Sequence, residues 1–298
     1  MSALERIAAI PGIDAVGLAP ARIVELIELA LAEDLAGGLD VTSAATIPAE
    51  QTGRASAVPR QPGVVAGLPI AAAVFAVVGE GRVSIEDLAA DGASVRPGDV
   101  LLTAVGPVRD LLTAERTALN LLCHLSGVAT LTRKWVDAVA GTGAVIRDTR
   151  KTMPGLRALE KYAVRCGGGA NHRMGLYDAA LVKDNHVAAA GGVRAAFEAV
   201  RRYAPGLPLE IEVDTVEQAR EVLDAGATLI LLDNMAPAQM REVVAMAAGR
   251  AGSDVRLEAS GGLSLDVARA VAETGVDYLA VGALTHSAPV LDIGLDLS

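Results

Sequence analysis

A chain of 298 residues with a formal charge of −10 and a pI near 4.9 is long enough for one barrel with an appendage, or for two domains. Its acidity argues against nucleic acid or a membrane surface as the main partner. Hydrophobic residues make up 52% of it and aromatics 2%, so the core must be built from Ala, Val, Leu and Ile, which suits helices packed on a buried parallel sheet.

The spacing of apolar positions predicts a helix over 21–34 that ends near Gly37-Gly38. After Asp40-Val41-Thr42 come short strand-like pieces at 53–58, 63–66, 82–85 and 100–105, with a helix over 68–78 between them and a turn at Pro97-Gly98. A long helical pattern covers 111–141, with a possible break near Ser126-Gly127, Thr113 as a candidate cap and Arg116 near its start. The chain then alternates. Strands are expected at 145–149, 180–183, 209–213, 229–233, 255–259 and 278–282, and helices at 192–203, 216–225, 237–248 and 264–273, some opening on caps such as Thr215 and Ser264. Strand–helix alternation with short connections implies a parallel sheet with right-handed crossovers, open or closed into a barrel.

Two cysteines, Cys123 and Cys166, make neither a disulfide framework nor a zinc cluster, and Cys166 reads as inert. The first residues lack the long apolar core of a signal peptide, and the longest apolar span, 68–79, contains Pro69 and is too short to cross a bilayer. A reduced, cytoplasmic protein is the expectation.

The charge is unevenly spread. Residues 147–186 hold eight of the 26 Lys and Arg (Arg147, Arg150, Lys151, Arg157, Lys161, Arg165, Arg173, Lys183) and two of the four His, against four acids, Asp148, Glu160, Asp178 and Asp184. A basic island in an acidic chain suggests a concave site for a small polyanion. Arg157, Lys161 and Arg165 lie about a turn apart and read as a solvated face. His124 on the long helix reads as a core or interface histidine.

In a closed parallel barrel the chemistry gathers at the C-terminal ends of the strands. Here those ends read Asp148-Thr149-Arg150-Lys151, Lys183-Asp184-Asn185, Glu210-Ile211-Glu212, Asp233-Asn234, Glu258-Ala259-Ser260-Gly261-Gly262 and Gly282. A purely structural sheet has no reason to finish every apolar run on a polar residue. Ser260-Gly261-Gly262 and Gly282 suit a phosphate held by backbone N–H groups, although short glycine motifs often only make turns. Glu212 and Asp233 suit one Mg²⁺ with substrate oxygens, the alternative being a solvated pair at the barrel mouth. Arg150 suits a carboxylate and Lys151 a compact charge. Lys183 is open to a Schiff-base role, but an anionic substrate favours its ammonium form and hence a charge role.

Together DTRKT (148–152), GGGANHRMGLYDAALVKDNH (167–186), ERTALNLLCHLSG (115–127), EIEVD (210–214), LLDNM (231–235) and EASGG (258–262) resemble the quinolinate phosphoribosyltransferase family, also called nicotinate-nucleotide pyrophosphorylase (carboxylating). The likeness runs from about Ala21 to the C-terminus, and EDLAGGLDVTS near the start follows the family pattern with looser spacing. It implies an α/β fold of the type II phosphoribosyltransferase kind: an N-terminal α/β sandwich domain (1–117, joined by the 287–298 tail) and an incomplete seven-stranded α/β barrel (118–286). It also implies a homodimer with Arg116 supplied across the interface. Carried over by motif, Arg150, His172, Arg173 and Lys183 would hold quinolinate, with Lys151 and Lys183 between the two substrates. Lys151, Glu212, Asp233, Ser260, Gly261, Gly282 and His286 would hold phosphoribosyl pyrophosphate, with Glu212 and Asp233 also facing Mg²⁺. The implied catalytic set is Lys151, Lys183, Glu212 and Asp233. The implied reaction gives nicotinate mononucleotide, pyrophosphate and CO₂. A sister enzyme acting on nicotinate or another aromatic anion, a Schiff-base aldolase using Lys183 and a non-catalytic anion binder are the rivals.

Overall fold

A computed structural model of the chain describes residues 1–250 and 254–298. The chain forms two compact units, one made of Met1–Leu131, Met153–Gly168 and Ser287–Ser298, the other of Thr132–Thr152 and Gly169–His286. Among the described residues no helix is long and apolar enough to cross a membrane.

The first unit holds strands β1 (Thr52–Pro59), β2 (Gly63–Val64), β3 (Ser84–Leu88), β4 (Ser94–Val95) and β5 (Leu102–Pro107). The second holds β6 (Val145–Arg147), β7 (Ala180–Val182), β8 (Leu209–Val213), β9 (Leu229–Asp233), β10 (Arg256–Ser260) and β11 (Tyr278–Ala280). The chain then returns to the first unit with β12 (Ile293–Leu297).

In the first unit β12, β1, β5 and β3 form an antiparallel sheet in that order, with Ala57 flanked by Leu295 and Leu102. The helix Leu68–Val78 is apolar on every side, and its first eight residues are buried. Its first turn has no side-chain cap of its own. Asp91 supplies one from outside, accepting the Gly67 N–H at 2.8 Å and the Leu68 N–H at 3.1 Å while the Tyr162 hydroxyl donates to it at 2.7 Å. Tyr162 belongs to the helix Arg157–Cys166, so this bond ties residues 153–168 into the unit. That helix corrects the sequence reading of a solvated face: Leu159, Glu160, Lys161, Tyr162, Ala163 and Val164 are all buried, and only Arg165 of the three cations named there is accessible enough to reach the Ala15 carbonyl at the surface.

The long helix runs from Val108 to Ala138 without a break, through both the 117/118 boundary and Ser126-Gly127. Ser126 exchanges hydrogen bonds with the Ala66 backbone at 3.1 and 3.2 Å, and a side chain at Gly127 would overlap the Pro289 carbonyl, so this pair marks close packing and not a helix end. Thr113 is no cap either. It lies inside the helix and its hydroxyl donates to the Arg109 carbonyl at 2.8 Å.

The second unit is a parallel sheet in the order β6-β11-β10-β9-β8-β7. Ile211, Ile230 and Leu257 stand side by side on one face, buried under the crossing helices. Beyond β6 the ladder continues for one residue only, Ala170, whose N–H donates to the Ile146 carbonyl at 2.8 Å and whose carbonyl accepts the Asp148 N–H at 3.2 Å. Among the described residues the seven strands implied by the resemblance are six and a single bridging residue: the glycine run 167–169 and the turn at Asn171 leave no length for a seventh ladder. Two residues on from this bridge at the β6 edge, His172 touches Glu210 on β8, next to the opposite edge. The sheet therefore curls on itself into an incomplete barrel.

Candidate active site

Side chains two apart on a strand share a face. On β8 that puts Glu210 and Glu212 inside, on β9 Leu231 and Asp233, on β10 Glu258 and Ser260, and on β6 Arg147. The barrel interior is accordingly polar, and its C-terminal mouth opens into a cavity of about 660 Å³. Of the twelve residues singled out from the sequence, nine line it: Arg150, Lys151, His172, Arg173, Lys183, Glu212, Asp233, Ser260 and Gly261.

Gly282 and His286 adjoin it through Lys151. A side chain at Gly282 would come within 2.9 Å of Lys151 Cδ and 3.2 Å of His286 Nε2, and the Thr285 hydroxyl donates to the Lys151 carbonyl at 2.7 Å. Arg116 belongs to the first unit. It is 60% exposed on the long helix and pairs there with Glu115 at 3.0 Å.

The cations are held close without enough anions. Arg150 Nε is buried and donates to nothing. Beside it, the Arg173 pKa is lowered, first by burial and then by the Arg150 charge, while one Arg173 nitrogen donates to the Ala179 carbonyl at 3.0 Å. Two half-buried guanidiniums that perturb one another, one with an unmet N–H, are the groups an anion would satisfy.

His172 lines the same wall, yet its ring nitrogens are already engaged. Nδ1 accepts the Arg173 N–H at 2.7 Å, so the ring proton sits on Nε2, 2.7 Å from Glu210 Oε2 and 3.4 Å from Glu258 Oε1. Both ring nitrogens are thereby engaged within the protein. The turn that carries it is pinned by Asp148, fully buried, which accepts the His172 N–H at 2.8 Å and the Asn171 side-chain amide at 2.6 Å.

At the mouth, Lys183 Nζ is ion-paired with Glu212, which keeps the lysine in a charge role and disfavours the Schiff-base alternative. Asp233 accepts from its neighbour Asn234 at 2.7 Å. Two carboxylates ending adjacent strands are hard oxygen donors of the kind that hold Mg²⁺ together with substrate oxygens, so this pair fits the ion. Gly261 sits at φ +89° with its Cα against Asn234, itself at φ +52°; any side chain there would overlap the asparagine. The backbone of 260–262 is thereby left open to the cavity.

The sequence reading named Arg147 in the basic island and Glu210 and Glu258 at strand ends, but gave none of the three a role. Arg147 Nη1 donates to Glu258 Oε2 at 2.6 Å and stacks 4.5 Å from the Tyr278 ring centroid. Glu210 Oε1 and Glu258 Oε1 are buried with no hydrogen-bond partner. The Glu258 pKa is pushed up to about 7, first by burial and then by the Glu210 charge. Period-2 spacing was the available signal: each glutamate stands two residues before a strand-end residue already chosen, Glu212 or Ser260.

Comparison with known proteins gives consistent likenesses. Residues 40–126 match the family model for the quinolinate phosphoribosyl transferase N-terminal domain, and residues 128–296 that for the C-terminal domain. The chain is 56% identical to the nicotinate-nucleotide pyrophosphorylase [carboxylating] of Mycobacterium leprae, over 92% of this chain and 96% of that one. It is 42% identical to the probable enzyme of that name from Bacillus subtilis, over 89% and 90%. The crystal structure of NadC from Streptococcus pyogenes superposes with a TM-score of 0.88 at 38% identity, covering 94% of this chain and 98% of that one.

Proposed function

The chain belongs to the quinolinate phosphoribosyltransferase family, and from that premise we propose how its own residues carry the reaction of that family. The reaction transfers phosphoribosyl from phosphoribosyl pyrophosphate to quinolinate with loss of CO₂, giving nicotinate mononucleotide and pyrophosphate in NAD biosynthesis. The observation that carries the assignment is the pair Arg150 and Arg173, both half-buried at the cavity wall, with a buried, unmet N–H on Arg150.

These two guanidiniums take the carboxylates of quinolinate, and His172 completes the wall by fixing the Arg173 backbone. Lys151 and Lys183 stand between the acid and the pyrophosphate. Ser260, Gly261, Gly282 and His286 hold the 5′-phosphate, where the glycines allow the backbone to approach. Glu212 and Asp233 face the ribose and would hold Mg²⁺, which would supply positive charge against the departing pyrophosphate. Lys183 exchanges Glu212 for substrate oxygens, which frees that carboxylate. The pyridine nitrogen then attacks C1 in line with the leaving group, so the gain comes chiefly from fixing two polyanions in one geometry. The alkylated ring is cationic and stabilises the carbanion left by CO₂, so the loss of CO₂ draws on the substrate's own charge. Arg116, exposed and in the other unit, is assigned to the acid site of a second copy, which makes the working form a homodimer.

The test is CO₂ release from carboxyl-labelled quinolinate, with nicotinate as a competitor. Release that requires both Mg²⁺ and phosphoribosyl pyrophosphate is expected. Consumption of nicotinate without CO₂ would move the chain to a sister activity.

A further inference from the structure

The reaction consumes one proton, and none of the roles above supplies it. When the C2–carboxylate bond breaks, its electron pair stays on C2 and must capture a hydrogen before the product can leave. Beneath the cationic wall lies a buried cluster of Arg147, His172, Glu210 and Glu258, with Glu258 and His172 reaching the cavity.

The two carboxyls of this cluster are unequally paired. Glu258 meets Arg147 directly, whereas Glu210 meets His172 and feels the Arg173 charge without a guanidinium contact. The histidine has its single ring proton on Nε2, because Nδ1 accepts the Arg173 N–H. One oxygen of each glutamate has no hydrogen bond, a costly state for two buried carboxylates and an ordinary one where a carboxyl O–H is present. The ligand atoms of His172, Glu210 and Glu258 lie within 4.8 Å of one another, close enough for a metal ion. The histidine tautomer opposes that, since a metal on Nε2 would force a proton onto Nδ1 against the Arg173 N–H, and Arg147 adds a positive charge 2.6 Å from Glu258. A proton is the cation that fits.

Resting on the reaction assigned above, we propose that Glu258 is the proton donor that places hydrogen on C2 of the product. The groups facing it are Arg147 from β6, Glu210 from β8, His172 from the turn after Ala170 and Tyr278 from β11, with the apolar Leu231 level with it on β9. Burial, with Glu210 next, keeps its carboxyl protonated up to about pH 7, and an incoming dianion reinforces this. In the step, the C2–CO₂ bond breaks and leaves its pair on C2. The Glu258 O–H bond breaks, its proton joins that pair, and the carboxylate remains paired with Arg147. Water restores the proton before the next cycle.

By microscopic reversibility the same group, as a carboxylate, removes the C2 hydrogen of nicotinate mononucleotide. The experiment follows loss of that hydrogen in D₂O by proton NMR, with the unmodified enzyme and with Glu258→Gln. The unmodified enzyme is expected to exchange it at a rate that climbs with pH and levels off above about 7. Glu258→Gln should slow exchange by about 10²-fold or more, with KM for quinolinate little changed. Exchange at the unmodified rate in Glu258→Gln overturns the proposal. So does a profile of the unmodified enzyme that climbs on toward pH 10, the mark of a lysine or of hydroxide, or a complete lack of exchange. The profile of the unmodified enzyme decides the matter even where the variant folds poorly. CO₂ release by the same preparation separates the two readings: its failure sinks the assigned reaction, whereas release without exchange sinks only the donor.

Discussion

Two histidines of this chain sit against buried glutamates, and the two arrangements differ in how fully they are satisfied. In the first unit His124 Nε2 lies 2.8 Å from one Glu160 oxygen, and the Met153 N–H donates to the other at 3.1 Å. In the second unit His172 faces two glutamates, each with an oxygen that makes no hydrogen bond. Both the Glu160 and Glu258 side chains are 0% exposed, so burial does not separate them. Unmet hydrogen bonding does. A satisfied buried pair holds a fold together, whereas an unsatisfied one keeps capacity in reserve for something absent from the resting protein.

The sharpest test of this contrast is Arg150→Ala. Removing a donor that has no protein partner should leave the thermal midpoint nearly unchanged, yet weaken quinolinate binding by on the order of 2–5 kcal/mol. The KM for phosphoribosyl pyrophosphate should barely move; equal loss for both substrates would contradict the division of labour. Glu160→Ala should do the opposite. It strands His124 and the Met153 N–H, so calorimetry should report a loss of roughly 1–3 kcal/mol in stability.

The smallest effect is a pH dependence. The folded pKa of Glu258 is raised, so the stability it contributes is fully present below the unfolded value near 4.5 and is lost as pH rises through about 7. Thermal scans of Glu258→Gln should therefore gain on the unmodified enzyme between pH 5 and pH 8, by roughly 2–4 °C for each kcal/mol regained. A variant that instead loses ground on the unmodified enzyme as pH rises would mean the group is not buried in its acid form.

Much of the barrel was legible because its signals are local. β8 and β9 are short apolar runs that stop on Glu212 and Asp233, and both strands lie where the periodicity puts them. What stayed hidden depends on partners remote in sequence. β12 pairs with β1 across more than two hundred residues, and nothing within IGLDL announces that. The helix Arg157–Cys166 buries six consecutive residues, the charged Glu160 and Lys161 among them, so its polar positions give no sign of their burial. Gly127 looks like a helix break and is in fact a point where two backbones pass closely. Within the site, the strand-end residues were readable and the layer beneath them was not. Glu210 and Glu258 sit inside apolar runs, and only their shared face with a chosen neighbour gives them away.

The single-residue bridge between Arg147 and Ala170 has a consequence for how the molecule is held shut. One side of that seam runs on to Arg150, and the other to Arg173. A dicarboxylate held by both guanidiniums, as proposed, would span the seam and add charge-assisted bonds where the backbone ladder supplies two hydrogen bonds. Substrate would then act as a missing strand, lending the barrel cohesion at its thinnest point for as long as it stayed bound.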